Sequence, residues 1–325
     1  MGLMKKYRKI DAHSHFGKSF LGPESNIDVY LTHAQEIGVV TALASPGPTP
    51  EIHSTNGIYY PCLWEVTNGV ITYFQQWGDV DGTLLKKNIA DKNPYHGVNE
   101  ELFKKVSKLI YGPKIYVMPI HHPKLDTLLE IKLMLEQRPS VALKVHGIST
   151  FTGPEDISPT VIDILRKTNK PIVVHTDLYF GEAAQDIHRA YKLNDPNKWV
   201  EWAKETKIKL LITHGARLSE TAINLAKKLD NVRIGIAPDL LLMSEPERLA
   251  LPTEEYLEFL LKTVPSDKLI YDIDYGWNVS ERNNWSTLDW GMHLRIMETA
   301  NKLDISDENL QFIFYENSAI FFDIK

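Results

Sequence analysis

The sequence of 325 residues contains little cysteine and no long hydrophobic run. Its single cysteine, Cys62, excludes an intrachain disulfide, a zinc ribbon and a Cys-x-x-Cys redox pair, because each of these needs at least two cysteines. No apolar run reaches the roughly 18 residues of a transmembrane helix. The N-terminal segment, MGLMKKYRK, is basic but lacks the apolar stretch of a secretory signal peptide. From these absences we expect a cytoplasmic protein.

An excess of positive charge is absent as well. The formal net charge is −6 at pH 7, from 36 Lys and Arg against 42 Asp and Glu. This balance gives no reason to expect nucleic acid or an anionic membrane surface as a partner. A small-molecule substrate is the expected partner, and the composition leaves homo-oligomerisation open.

Short β-rich runs alternate with longer stretches of helical apolar spacing, a pattern typical of a parallel sheet flanked by helices. The pattern predicts strands at 8–13, 39–44, 115–120, 141–145, 172–175, 208–213, 232–237 and 269–274. It predicts helices at 28–37, 125–137, 158–167, 196–206, 219–229, 253–263 and 286–301. Eight such units in one domain, 1–325, indicate an α/β protein with a closed (β/α)8 TIM barrel. The competing arrangement is an open doubly wound sheet, but the sequence has no Gly-x-Gly-x-x-Gly turn after the first strand, which is typical of that fold.

A long segment, 45–114, interrupts this alternation between strands two and three. We interpret it as a helical, cap-like insertion and not as a separate domain. Its aromatic side chains either line a substrate pocket over the barrel mouth or, as burial preferences favour, form a small core of the insertion. These aromatic residues are Tyr59, Tyr60, Trp64, Tyr73, Phe74 and Trp77.

Histidines and an aspartate occur where the predicted strands end, which is where a (β/α)8 enzyme builds its active site. His13 and His15 lie at the end of the first strand and, two residues apart, point to the same side. His175 ends strand five, His214 ends strand six and Asp274 ends strand eight. Neutral imidazole and carboxylate are the usual nitrogen and oxygen ligands of zinc. Their placement on four strands therefore predicts a metal site.

The segments IDAHSHFG, ALKVHG, PIVVHTD, LLITHGAR and DIDYG resemble the strand-end motifs of the amidohydrolase superfamily. The resemblance is to its amidohydrolase-2 type branch, which includes small decarboxylases and lactone hydrolases, and the C-terminal FYENSAIFF is similar to the closing helix of that branch. This resemblance implies one divalent ion, with zinc the first candidate, held by His13, His15, His175 and Asp274. It also implies that His214 stands beside the metal as an acid-base or substrate-polarising group.

Lys144, in ALKVHG, has two functional interpretations. Family members with two metals bridge them through a carboxylated lysine on strand four. In that arrangement the His-x-His pair and Asp274 hold one ion, and the two later histidines hold the other. In the one-metal branch Lys144 is a structural or substrate-binding charge. Asp272 lies one layer below Asp274, and we expect it to be a buried carboxylate paired with Lys144.

Other polar residues near the mouth are candidates for substrate binding. His146 follows strand four, and Arg217, in the turn after strand six, could hold a substrate carboxylate in a bidentate pair. His121 and His122 follow strand three, where loop histidines are commonly polar surface residues.

The leading functional prediction is a metal-dependent hydrolase that attacks an amide, ester or lactone carbonyl through a metal-activated water. Asp274 would carry the proton from that water to the leaving group, and His214 would polarise the carbonyl. The alternative is a metal-dependent lyase that decarboxylates a small aromatic or unsaturated acid. A barrel that only binds a metabolite is a third reading, which the complete set of expected ligands disfavours.

Overall fold

Strands and helices alternate along most of the chain in the computed structural model. It describes residues 6–19, 22–47, 51–55, 58–67, 70–78, 84–88, 93, 95–136, 138, 140–150, 152–176, 194–237, 253–276 and 286–325. The strands are β1 Lys9–Ser19, β2 Gly22–Ser25, β3 Val39–Pro46, β4 Glu51–Thr55, β5 Ile58–Thr67, β6 Val70–Gly78, β7 Leu84–Asn88, β8 Lys114–Val117, β9 Leu143–Val145, β10 Ile172–Val174, β11 Leu210–Ile212, β12 Val232–Gly235 and β13 Leu269–Ile270.

The helices fall mostly after the parallel strands. They are α1 Ile27–Glu36, α2 His96–Val106, α3 Leu128–Glu136, α4 Gly147–Thr150, α5 Pro159–Thr168, α6 Pro196–Thr206, α7 Glu220–Ala226, α8 Thr253–Thr263, α9 Ser286–Lys302, α10 Asp307–Gln311 and α11 Asn317–Phe322. Each predicted strand and each predicted helix overlaps one of these elements, so the α/β alternation is confirmed.

The helix ends follow local sequence signals. Ser158 caps α5 by accepting a hydrogen bond from the Val161 amide, and Asp195 caps α6 in the same way. Both helices have proline at the first position, where the missing N–H costs nothing. They end at Asn169 and Lys207, whose left-handed backbone stops the helix.

Eight of the described strands run parallel in two sheets. β1, β3 and β8 pair in that order in one sheet, and β9 to β13 pair successively in the other. Parallel bridges connect Ile120 with Lys144 at one junction of the sheets and Ser14 with Tyr275 at the other. At the second junction the Asp274 amide also donates to the His13 carbonyl over 2.8 Å. The two sheets are therefore hydrogen-bonded to each other at both ends.

The core has two layers on opposite faces of the parallel strands. One cluster of buried side chains takes a residue from each of several strands, as in Ile10, Leu43, Val173, Leu211 and Ile270. The other takes the alternating residues and the apolar faces of the helices. This alternation follows from the two-residue period of a strand. Because these strands run parallel, their carboxyl ends all lie at the same end of the first cluster.

The described residues between 51 and 88 form strands, and the prediction of a helical cap is wrong for them. β4, β5, β6 and β7 form an antiparallel sheet in sequence order, and α2 follows them. Thr67 of β5 pairs with Val70 of β6, and the two residues between them in the sequence, Asn68 and Gly69, are the dipeptide typical of a tight hairpin. The aromatic side chains from Tyr59 to Trp77, and that of Cys62, lie outside what the structure describes.

Among the described helices, none combines the length and apolar character needed to cross a lipid bilayer.

Candidate metal centre

Three predicted ligands come together at the carboxyl ends of the first and last parallel strands. His13, His15 and Asp274 each offer one ligand atom within 4.8 Å of the other two, and all three residues are buried. The Asp274 Oδ1 atom lies 3.5 Å from His13 Nδ1 and 3.5 Å from His15 Nε2. We call these three residues the ligand group.

The backbone places the ligand group by two departures from regular strand structure. The pairing of β1 with β3 shifts between Asp11 and Ser14, where β1 carries one extra residue. Such a bulge changes the direction of the side chains within it, here those of Ala12 and His13. Asp274 has a positive φ of 56°, a conformation that non-glycine residues rarely adopt.

Burial keeps the two imidazoles of this group neutral. It lowers the pKa of His15 to about 3 and holds the pKa of His13 well below its ordinary value, and the neighbouring Lys144 charge acts in the same direction. The His15 Nδ1 atom lies 2.9 Å from the Pro46 carbonyl, which fixes the tautomer with Nε2 toward Asp274. Neutral imidazole is the form that binds a metal.

One buried atom of the ligand group is consistent with the donor set of a metal ion. His13 Nδ1 has no hydrogen-bond partner among the described residues, although its side chain is fully buried. A buried polar atom without a partner costs free energy. Two nitrogen donors and a carboxylate suit a divalent transition metal such as zinc.

Lys144 lies against the ligand group. Its Nζ atom is 2.7 Å from His13 Nε2, and the residue is fully buried. Burial lowers the pKa of Lys144 to about 7, while the charges of Asp274 and Asp272 oppose that change. Asp272 is also fully buried, and burial raises its pKa to about 7.

The expected direct pair of Asp272 with Lys144 is replaced by a backbone contact. Asp272 Oδ1 accepts a hydrogen bond from the Ala237 amide over 2.6 Å, and Oδ2 lies 3.9 Å from His13 Nδ1. Gly235 makes room for this carboxylate, because a Cβ atom there would lie 2.5 Å from Asp272 Oδ2. Asp272 therefore acts on Lys144 through its charge at longer range.

The histidines of strands β9 to β11 form a second arrangement, which we call the histidine row: His146, His175 and His214. His214 Nε2 and His175 Nδ1 are 3.0 Å apart, within hydrogen-bond distance. The His146 ring stacks on the His175 ring at a centroid distance of 4.2 Å. The ring centroids of His214 and His13 are 5.6 Å apart, so the row adjoins the ligand group. His175 is not a member of the ligand group, and its role as fourth ligand stays a prediction.

A left-handed turn directs the His214 side chain toward His175. Residues His214 to Leu218 all have φ between 50° and 58°. In a continuing strand, His214 would lie on the same face as Ile212, which packs in the outer layer. Gly215 is needed within this turn because a Cβ atom there would collide with the Tyr256 hydroxyl. Arg217, the predicted substrate-binding cation, lies half-buried in the same turn.

Two carboxylates with buried side chains, which were not predicted from the sequence, accept backbone amides near strand ends. Asp126 Oδ2 lies 2.6 Å from His121 Nδ1 and accepts the His122 amide hydrogen over 2.8 Å. Asp11 accepts hydrogen bonds at the bulge of β1. The signal for Asp11 was present in the sequence, since an aspartate in an otherwise apolar buried strand needs several donors.

Comparisons with known proteins give a match to the fold alone. No protein-family model and no curated protein matches the chain. Among solved structures, the crystal structure of Metarhizium anisopliae IDCase in apo form has a TM-score of 0.55. The match has 10% sequence identity and covers 100% of this chain and 99% of that chain. The chain therefore has an α/β fold similar, over its whole length, to that of a TIM-barrel enzyme.

Proposed function

We propose that the two parallel sheets form one closed (β/α)8 barrel and that the chain is a metal-dependent enzyme of the amidohydrolase-2 type. The reaction we favour is decarboxylation of a small aromatic or unsaturated carboxylic acid. The observation that carries the proposal is the ligand group, three buried donors within 4.8 Å of one another, with the buried cation Lys144 against it. IDCase, which has the similar fold, is a decarboxylase.

His13, His15 and Asp274 would hold the metal, with His175 as the fourth ligand if its side chain turns from His214 toward the group. A divalent ion at this position would supply Lewis-acid polarisation of a substrate oxygen. We infer one ion, with zinc the first candidate. A second ion would require carboxylation of Lys144.

A carboxylate substrate suits the charges around the group. Lys144 is a buried amine with a pKa of about 7 whose Nζ atom lies 2.7 Å from the neutral imidazole of His13, and a substrate carboxylate bound beside it would favour its charged form. Arg217 and His146 are the further residues that we assign to substrate binding. Arg217 would contact the carboxylate through its planar guanidinium.

Decarboxylation requires one proton from the protein. The bond between the substrate carbon and its carboxyl group breaks, the electron pair stays on the carbon, and carbon dioxide leaves. The carbon then takes a proton, and we assign its delivery to His214. The hydrogen bond of His214 to His175 orients the ring and provides a path by which the proton is replaced.

Hydrolysis of an amide, ester or lactone is the second candidate, and the position of Asp274 favours it. Its carboxylate lies 3.5 Å from both histidines of the ligand group, where it could take a proton from an attacking water. Both reactions need the same ligand group, and they differ in the substrate bond that breaks.

A substrate panel separates the two reactions. Zinc-loaded protein would be assayed for release of carbon dioxide from aromatic and unsaturated carboxylic acids, and in parallel for cleavage of esters, amides and lactones. We expect carbon dioxide release that disappears in Asp274→Asn. Cleavage of a lactone or ester without any decarboxylation would assign the chain to the hydrolases.

A further inference from the structure

The carboxylate of Asp11 accepts four hydrogen bonds at the junction of the first and last parallel strands. Its Oδ1 atom accepts from the amides of His13, over 3.2 Å, and Ile273, over 3.0 Å. Its Oδ2 atom accepts from the hydroxyls of Ser14 and Tyr30, the latter over 2.5 Å. Asp11 itself is fully buried, and all four of these donors are protein groups.

These bonds lie at the two backbone positions that place the ligand group. The His13 amide is in the bulge, where β1 has one residue more than β3, and Asp11 Oδ1 supplies an acceptor to it there. The Ile273 amide immediately precedes Asp274, and the Asp274 amide in turn donates to the His13 carbonyl over 2.8 Å. A single oxygen atom therefore connects the amide of His13 with that of Ile273, the residue before Asp274.

An aromatic cluster supports the carboxylate from the outer side. The Tyr30 ring lies 4.9 Å from the Phe16 ring and 5.2 Å from the Tyr275 ring, centroid to centroid. The Tyr275 amide donates to the Ser14 hydroxyl over 3.3 Å. Tyr30 comes from α1, and its hydroxyl therefore connects Oδ2 of Asp11 to a helix outside the parallel sheet.

We propose that Asp11 is a positioning residue that sets the separation of His13 and Asp274 and thereby the affinity of the metal site. The inference rests on the proposed metal site. It assigns to Asp11 an effect on metal affinity that is separable from its contribution to folding. The part that matters is the oxygen that accepts the two amides, and the negative charge is not required.

Two substitutions of Asp11 test this separation. Asp11→Ala removes the acceptor of both amides, and we expect the zinc dissociation constant to rise about 10- to 100-fold, the range found when groups that orient metal ligands are removed. Asp11→Asn keeps an oxygen toward the amides and turns its NH2 toward the hydroxyls, which can accept. We expect its dissociation constant to stay within about threefold of the parent value. The measurement is competition for zinc with a chromophoric chelator, together with thermal unfolding of the metal-free proteins.

Asp126→Ala is the matched control. Asp126 is another carboxylate with a buried side chain that accepts a backbone amide near a strand end, and its hydrogen bonds go to Asn93, His121 and His122, none of which belongs to the ligand group. Its loss should lower the unfolding temperature of the metal-free protein and leave the zinc dissociation constant within about twofold of the parent value. If Asp11→Ala does not fold, the double variant Ser14→Ala, Tyr30→Phe replaces it, with an expected rise of about threefold or more.

Equal zinc affinity in the parent and in Asp11→Ala, or in the double variant that replaces it, overturns the inference and leaves the proposed function intact. Equal losses in Asp11→Ala and Asp11→Asn would assign the effect to charge and also overturn it. A parent protein that binds no zinc overturns the proposed function, and the inference with it.

Discussion

The ligand group and the histidine row lie side by side, yet their polar atoms are spaced differently. In the ligand group, Asp274 Oδ1 is 3.5 Å from each histidine nitrogen. That spacing is close to the separation of about 3.4 Å that two ligands have when each lies about 2.1 Å from one tetrahedral ion. In the histidine row, two nitrogens are 3.0 Å apart and share a hydrogen. The ligand group thus has the spacing of metal ligands, and the histidine row has the spacing of a hydrogen bond.

Asp274 belongs to the ligand group, which we propose holds the metal, and its substitution should have the largest effect. We expect Asp274→Asn to fold normally and to lose turnover by a factor of about 10³ or more, because it removes the charge of a metal ligand and, if the reaction is hydrolysis, the proton carrier as well. Turnover on the substrate found in the panel and circular dichroism would be measured side by side. Intact turnover would move the proton-carrying role to Asp272.

Substitution of His214 tests the histidine row. His214→Asn should lower kcat about 10²-fold while the metal content stays at one ion per chain, since His214 lies within hydrogen-bond distance of His175 and is not one of the three clustered ligands. A double variant with His175→Asn should lose little more than either single variant if the two act as one unit. Two ions per chain in the parent, with one lost in His214→Asn, would instead establish a metal pair bridged by carboxylated Lys144.

Gly276 tests whether the backbone next to the ligand group must have its observed conformation. It has a φ of 115°, and a Cβ atom there would lie 2.5 Å from the His15 carbonyl oxygen. Gly276→Ala should therefore lower the free energy of unfolding by about 2 kcal/mol and weaken zinc binding. Gly97, in α2, has nothing within 4 Å of such a Cβ atom, and Gly97→Ala should be neutral or stabilising by up to about 1 kcal/mol. Chemical unfolding measures both, and similar losses in the two variants would remove the special role of Gly276.

His122, outside the ligand group and the histidine row, also has a pKa that burial lowers. Burial lowers its pKa to about 4, against about 6.5 in the unfolded chain. The unfolded state therefore takes up a proton between these values that the folded state does not, and stability falls as the pH decreases. We expect this residue to account for about 1 kcal/mol of the loss between pH 6.5 and 5.5. Unfolding of His122→Gln at both pH values should show a smaller decline than the parent protein, and an equal decline would contradict the assignment.

Much of the fold could be predicted from the sequence because its signals are local. The two-residue and helical periodicities located the parallel strands and the helices after them, and caps such as Ser158 marked where helices begin. The insertion was predicted as helical although the Asn68-Gly69 dipeptide joins two runs rich in aromatic and β-branched residues. That combination is a hairpin signal, and it outweighs the helical interpretation of the insertion.

The candidate site could be predicted in part. Strand-end position was enough to select His13, His15 and Asp274, because all parallel strands end on the same side. The contact of His175 with His214, and not with the ligand group, could not be read from spacing, since it depends on five residues in the left-handed conformation after β11. The role of Asp11 depends on a bulge that exists only when β1 pairs with β3.

The central claim is that His13 and His15, with Asp274, hold a metal ion. Elemental analysis of the purified parent protein and of the His13→Ala, His15→Ala double variant tests it most directly. We expect one divalent transition-metal ion per chain in the parent, with zinc the first candidate, and loss of that ion in the double variant. A double variant that folds and keeps the full metal content of the parent would contradict it.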